Sequence, residues 1–174
     1  VQLIFSTTLF LILKFVHVAF GIFWVGIASM MAIFILPATN ALGPDGGKVM
    51  QQIAKTNSYP IVLNTVALGA LLTGILLYWN LSNGFQPDWV FSRYGILLAI
   101  GGVLGVKAYL LGLSINLPTI KRITEIGQIF QKSGPTPDLI LEMTKLKNKF
   151  LFSTRVIAAS IGTSIMLMEF ARYL

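Results

Sequence analysis

The chain has 174 residues, 55% of them hydrophobic and only 11% charged, with a mean hydropathy of +0.79. A water-soluble domain carries about 25% charged residues, so water is excluded as the main solvent. The absence of Cys excludes disulfides, thiolate metal sites and cysteine nucleophiles. The net charge of +7 comes from basic residues clustered between apolar runs, which points to a membrane and away from nucleic acid.

A membrane-spanning helix needs about 20 mostly apolar residues. Four segments qualify, at residues 9–36, 60–79, 93–117 and 150–170. They predict one transmembrane domain over residues 1–174, an all-α integral-membrane four-helix bundle. The opening run from Val1 lacks a basic flank and a small-residue cleavage site, and it is too long for a signal peptide. It reads as a retained span. After span one, Gly43-Pro44-Asp45-Gly46-Gly47 lacks Walker spacing and reads as a turn.

Between spans three and four, Ile120, Ile123, Ile126 and Ile129 recur every third residue, with Lys121, Arg122, Glu125 and Gln128 between them. That pattern predicts an amphipathic helix. Ser133-Gly134-Pro135 breaks it, and Thr136-Pro137-Asp138 restarts it with an N-cap, a proline at the first helical position and an early acid. The expected result is a basic helical hairpin leading into span four, read as a solvated stalk.

Orientation follows from the basic residues of the connections. Lys48 and Lys55 precede span two. Lys121, Arg122, Lys132, Lys145, Lys147 and Lys149 precede span four, so these two same-side connections hold eight basic residues. The opposite side has Arg93 and Arg172. Both termini are therefore expected outside and the hairpin in the cytoplasm of a bacterial inner membrane. Trp79, Trp89, Tyr94 and Tyr173 would form the outer aromatic belt.

Ionisable residues within spans are costly and mark sites by default. At about 100° per residue, Lys14, His17, Gly21, Trp24 and Ala28 share one sector of span one, with Phe23 opposite. On span four, Arg155, Gly162 and Glu169 share a stripe with Ala158, Ala159 and Met166. On span three, Gly101, Gly105, Ala108 and Gly112 share a face. Polar and small residues are expected to face the bundle, where Gly21, Gly101, Gly105, Gly112 and Gly162 would let helices approach. Similar depth suggests Glu169 pairing with Lys14 or hydrogen-bonding His17. Asn64 and Arg155 are expected together in the inner half, with Arg155 near an anionic lipid headgroup. Lys107 lies off the glycine face, as a snorkelling lysine would.

His17 is the only candidate ligand of the usual haem or metal type. It reads as a haem ligand, a quinone or copper contact, or simply a buried hydrogen-bonding group. A His/Met haem would need Met166 or Met168. The same residues would suit copper(I), although apolar helices use Met mostly for packing. No hydrolase, zinc-protease or phosphate-loop motif is present.

Leu13-Lys14-Phe15-Val16-His17 with Trp24-Val25-Gly26 resembles the first helix of a group of small bacterial membrane proteins, roughly L-K-x-x-H then W-x-G. The group includes uncharacterised four-helix proteins, the copper-resistance D type membrane domains and, more distantly, the HemJ-type protoporphyrinogen oxidases. The resemblance implies the bundle, with Lys14 and His17 as its polar hallmark. HemJ-type enzymes use further His and Arg residues, and this chain has a single His. It also lacks a His- and Met-rich surface suited to copper transport.

The expectation is a multi-pass, non-catalytic accessory subunit without a cofactor of its own. It would pack against larger membrane subunits of a respiratory or photosynthetic electron-transfer complex. The alternatives are a haem- or quinone-binding redox protein using His17, and a small copper-handling transporter with Lys107 and Arg155 on its path.

Overall fold

A computed structural model of the chain describes residues 4–56 and 59–173, apart from the side chains of residues 44, 54, 55 and 60. Val1 and the side chains of Lys55 and Pro60 thus lie outside the described residues. Four helices are long and apolar enough to cross a membrane: Thr7–Ala41, Ile61–Leu81, Arg93–Ser133 and Pro137–Tyr173. No strand occurs among the described residues. The four are called spans one to four below. Spans three and four share the largest interface, spans one and two the next, and smaller contacts join one to four and two to three. The result is a closed ring of sequential neighbours.

Spans one and three run past the positions where their prolines would be expected to end them. Pro37 and Pro118 each lie inside a continuous helix, two residues after a five-residue π segment, Met31–Ile35 and Gly112–Asn116. A proline lacks the N–H and its ring crowds the carbonyl four residues back. Those carbonyls belong to Ile33 and Ser114, both within the wider π turns, which make room for the ring.

The glycine-rich segment after span one is also more helical than expected. Only Leu42 and Gly43 turn, with Gly43 at φ +59°, and Pro44–Lys55 is a helix carrying Asp45 in its first turn. Asp45 pairs with Lys48 at 2.8 Å, and the lysine holds its carboxyl below the ordinary range. Gly46 is required there, because a Cβ would lie 1.7 Å from the Thr39 carbonyl oxygen.

Ser6 and Ser92 cap spans one and three, accepting from the N–H groups of Leu9 and Gly95. Thr136 occupies the N-cap position of span four with extended backbone, but its side chain makes no capping bond. On span three's extension, Ile126 is fully buried and Ile129 is exposed. Arg122 binds Glu142 through two hydrogen bonds, at 2.7 and 3.1 Å, and Glu125 at 3.1 Å. These contacts tie the two sides of the break at Gly134 together.

Two apolar clusters fill the interior. One joins Trp24, Ala28, Val66, Ala67, Ala70, Ala108, Ile157 and Ile161. The other joins Met31, Leu36 and Phe150 nearer the basic connections. Side-chain hydrogen bonds cross between helices as well. Ser164 donates to the Gly101 carbonyl at 2.7 Å. Asn116 donates to Thr154 at 3.1 Å and accepts from Ser153. At the other end, fully buried Asn80 accepts from the Phe5 N–H at 2.7 Å, and its Nδ2 has no partner among the described residues. Trp89 meets Tyr78 and Tyr94 edge-on at 5.2 and 5.6 Å, and Trp79 meets Phe5 at 5.5 Å. Tyr173 stays exposed.

Candidate functional site

The ionisable residues of the spans divide between His17, which faces the bundle, and Lys14, Lys107, Arg155 and Glu169, which are exposed. His17 is half-buried on span one and faces span two. Its Nδ1 lies 2.9 Å from the Ala70 carbonyl and 3.2 Å from Thr73 Oγ1. A carbonyl only accepts, so this geometry assigns the proton to Nδ1. Thr73 supports it by spending its own hydroxyl proton on the Gly69 carbonyl at 2.6 Å, which leaves its oxygen free to accept. In the neutral ring Nε2 then carries the lone pair, and it has no hydrogen-bond partner among the described residues.

Two glycines of span two make this approach possible. A Cβ on Gly74 would sit 2.9 Å from His17 Cε1, and one on Gly69 would sit 2.4 Å from the Phe20 ring. Sequence reasoning missed both. The signal available was their spacing with Ala70 and Thr73 on one side of span two, opposite the His17–Trp24 sector.

Span one follows its expected sector in part. Trp24 and Ala28 are buried and Phe23 is exposed, but Lys14 is exposed as well. The expected pairing of Glu169 with Lys14 or His17 is corrected. Glu169 pairs with Arg172 at 2.5 Å, with both side chains more than half exposed. One helical turn is a shorter reach than the gap between helices, so the local partner wins. Asn64 accepts from the Tyr109 hydroxyl at 3.0 Å rather than meeting Arg155, which is exposed.

Span four turns the other way from its expected orientation. Arg155, Ala159, Met166 and Glu169 are exposed and Gly162 is half-buried. The bundle side of the helix is formed by Ser153, Thr154, Ile157, Ser160, Ile161 and Ser164. The serines fit inside because they are nearly as small as the glycine and alanines expected there and their hydroxyls reach nearby carbonyls, as Ser164 does. Met166 faces outward, and Met168 packs over Gly101, where a Cβ would lie 3.0 Å from it.

The glycines also separate into two kinds. Gly101 and Gly105 are buried, and a Cβ on Gly105 would make ordinary contact with Leu71. A Cβ on Gly21, Gly112 or Gly162 would meet nothing within 4 Å, so these three do not serve close packing inside the bundle. Lys107 is exposed, opposite the buried glycine face of span three. No group of three or more His, Asp or Glu side chains suited to a metal ion occurs among the described residues. The chain matches no family model, no curated protein and no solved structure.

Proposed function

We propose that the chain is an integral-membrane accessory subunit that packs against larger membrane partners, of the kind found in electron-transfer complexes. The observation that carries this reading is the outward stripe of span four, Arg155, Ala159, Gly162, Met166 and Glu169. In lipid, small residues on a helix surface mark where another backbone approaches, and polar residues there seek protein or headgroup partners. The open space over Gly162 is available to a helix from another chain.

The reading includes an orientation. The eight basic residues of two connections face the cytoplasm of an inner membrane, both termini lie outside, and the helices around Gly134 form a cytoplasmic hairpin. Arg155, close to that side, meets an anionic lipid headgroup or a partner. Mild detergent extraction from the native membrane, sizing and mass spectrometry of co-migrating chains test the proposal. Co-migration with larger membrane subunits supports it. A lone, fully functional small particle overturns it.

A second reading rests on His17. Metal-binding histidines commonly fix the free nitrogen by donating from the other one to a carbonyl, the arrangement of Nδ1 and Ala70. The fit to a haem is partial. This chain has one His, Met166 faces away, and Met168 is engaged with Gly101. His17 supplies one nitrogen ligand or a quinone contact, and a second haem ligand comes from a partner. The L-K-x-x-H resemblance supports the same residue. A Soret band in the extracted particle that is lost in His17→Ala selects this reading.

A further inference from the structure

Lys107 stands midway along span three between its nearest charged neighbours, Arg93 and Lys121, fourteen residues away on either side. At about 1.5 Å per residue that is roughly 21 Å each way. The hydrocarbon core is about 30 Å thick, so the lysine lies near its middle. A four-carbon stem does not reach either surface from that depth, and a free ammonium in hydrocarbon is costly. Lys107 is nevertheless exposed and makes no ion pair among the described residues.

Its surroundings form one face. Ile96, Ile100, Val103, Leu110 and Ser114 fall within about 60° of Lys107 around the helix, and all are exposed. Span three is the least enclosed of the four, with 17% of its apolar window buried against 33% for span four. A shallow apolar hollow of about 330 Å³, lined by Phe91, Ile96, Ile100 and Val103, continues the face toward the aromatic end. The Ser114 hydroxyl is already spent on the Leu110 carbonyl at 2.7 Å, which leaves Lys107 as the face's one unspent polar group.

We propose that this face docks a transmembrane helix of another protein, one that carries an Asp or Glu at mid-bilayer depth to pair with Lys107. The proposal rests on the accessory-subunit reading and names the chemistry of one partner. A second copy of this chain does not fit. Of its six acidic residues, Asp45, Asp88, Glu125, Asp138 and Glu142 lie outside the apolar stretches, and Glu169 lies at the end of span four with Arg172. A two-fold axis along the membrane normal would also bring two Lys107 side chains together.

The test places a photo-crosslinking residue at Val103, and separately at Ala159, in the full chain in its native membrane. Crosslinked peptides are then sequenced. The expected Val103 adduct is an apolar segment of about 20 residues from another protein, with a carboxylate within one turn of the crosslink. Lys107→Leu lowers its yield at least tenfold, Lys107→Arg keeps it, and exchanging the charges of the two partners restores it. Adducts to lipid only, to a second copy or to a helix without a carboxylate overturn the proposal, as does an undiminished yield in Lys107→Leu. An Ala159 adduct to a larger subunit without a Val103 adduct leaves the accessory reading standing and removes this inference. Loss of both removes both.

Discussion

Gly69→Ala probes the contact that brings span one onto span two. The new Cβ would lie 2.4, 2.6 and 2.9 Å from three atoms of the Phe20 ring. Phe20 packs against the main apolar cluster, so its ring has little room to retreat. Overpacking of this kind costs about 1–3 kcal/mol. Helix propensity opposes it, since alanine is better than glycine by up to about 1 kcal/mol. The net expectation is a loss of up to about 2 kcal/mol, against a small gain for the control below. Gly112→Ala is the control, because its Cβ meets nothing within 4 Å and only the propensity gain remains. The assay is reversible unfolding in mixed micelles with rising SDS, followed by helicity. Phe20→Leu should remove most of the Gly69→Ala penalty, giving a coupling of about 1–2 kcal/mol, within the range for touching residues. Equal stability of Gly69→Ala and Gly112→Ala, or no coupling with Phe20, would refute the packing argument.

Nitrogen-15 spectra of labelled histidine report on His17 alone, because the chain has no other. The neutral ring should show the proton on Nδ1 and a lone pair on Nε2, and Thr73→Val should leave that tautomer in place because the Ala70 carbonyl remains. A proton found on Nε2 would contradict the assignment. Beyond the apolar stretches 93–117 and 150–170, the hydrogen bonds from Arg122 hold the Glu142 carboxyl below its ordinary value. A lowered folded value means that the pair's contribution is present above about pH 4.3 and fades as pH falls through the folded value. Hydrogen exchange around Gly134 should therefore rise in that acid range, and Arg122→Gln should remove the pH dependence. Exchange that is equally acid-sensitive in Arg122→Gln would show that the pair does not hold this region.

The sequence made the number of spans legible because each apolar run is about 20 residues or longer and holds at most two charged residues. It did not make their ends legible. The ranges 9–36 and 93–117 stop just before Pro37 and Pro118, yet the helices continue through both, because each proline sits beyond a π turn that relieves its clash, a geometry no residue pattern announces. Nor did it tell which way a face points. A helical wheel groups Arg155, Gly162 and Glu169 correctly, but lipid and bundle interior are equally apolar. The contrast that orients an amphipathic helix in water is therefore missing. Ser153, Ser160 and Ser164 fill the interior instead, where their hydroxyls can back-bond or cross to a neighbour. His17 and Trp24 were readable as inward because span one's opposite side is crowded with large residues such as Phe23. Lys14, three residues earlier, shares the sector but not the burial.

The most direct test of the account is the size of the particle extracted gently from native membranes, for wild type and for Gly162→Leu. Wild type is expected to run with larger subunits, and Gly162→Leu to fall out of that particle while unfolding at the same SDS fraction as wild type or a higher one. A Cβ at Gly162 meets nothing within 4 Å in the chain, on the outward stripe where a partner would approach. A wild-type chain that runs alone, or a Gly162→Leu chain that stays in the large particle, would contradict it.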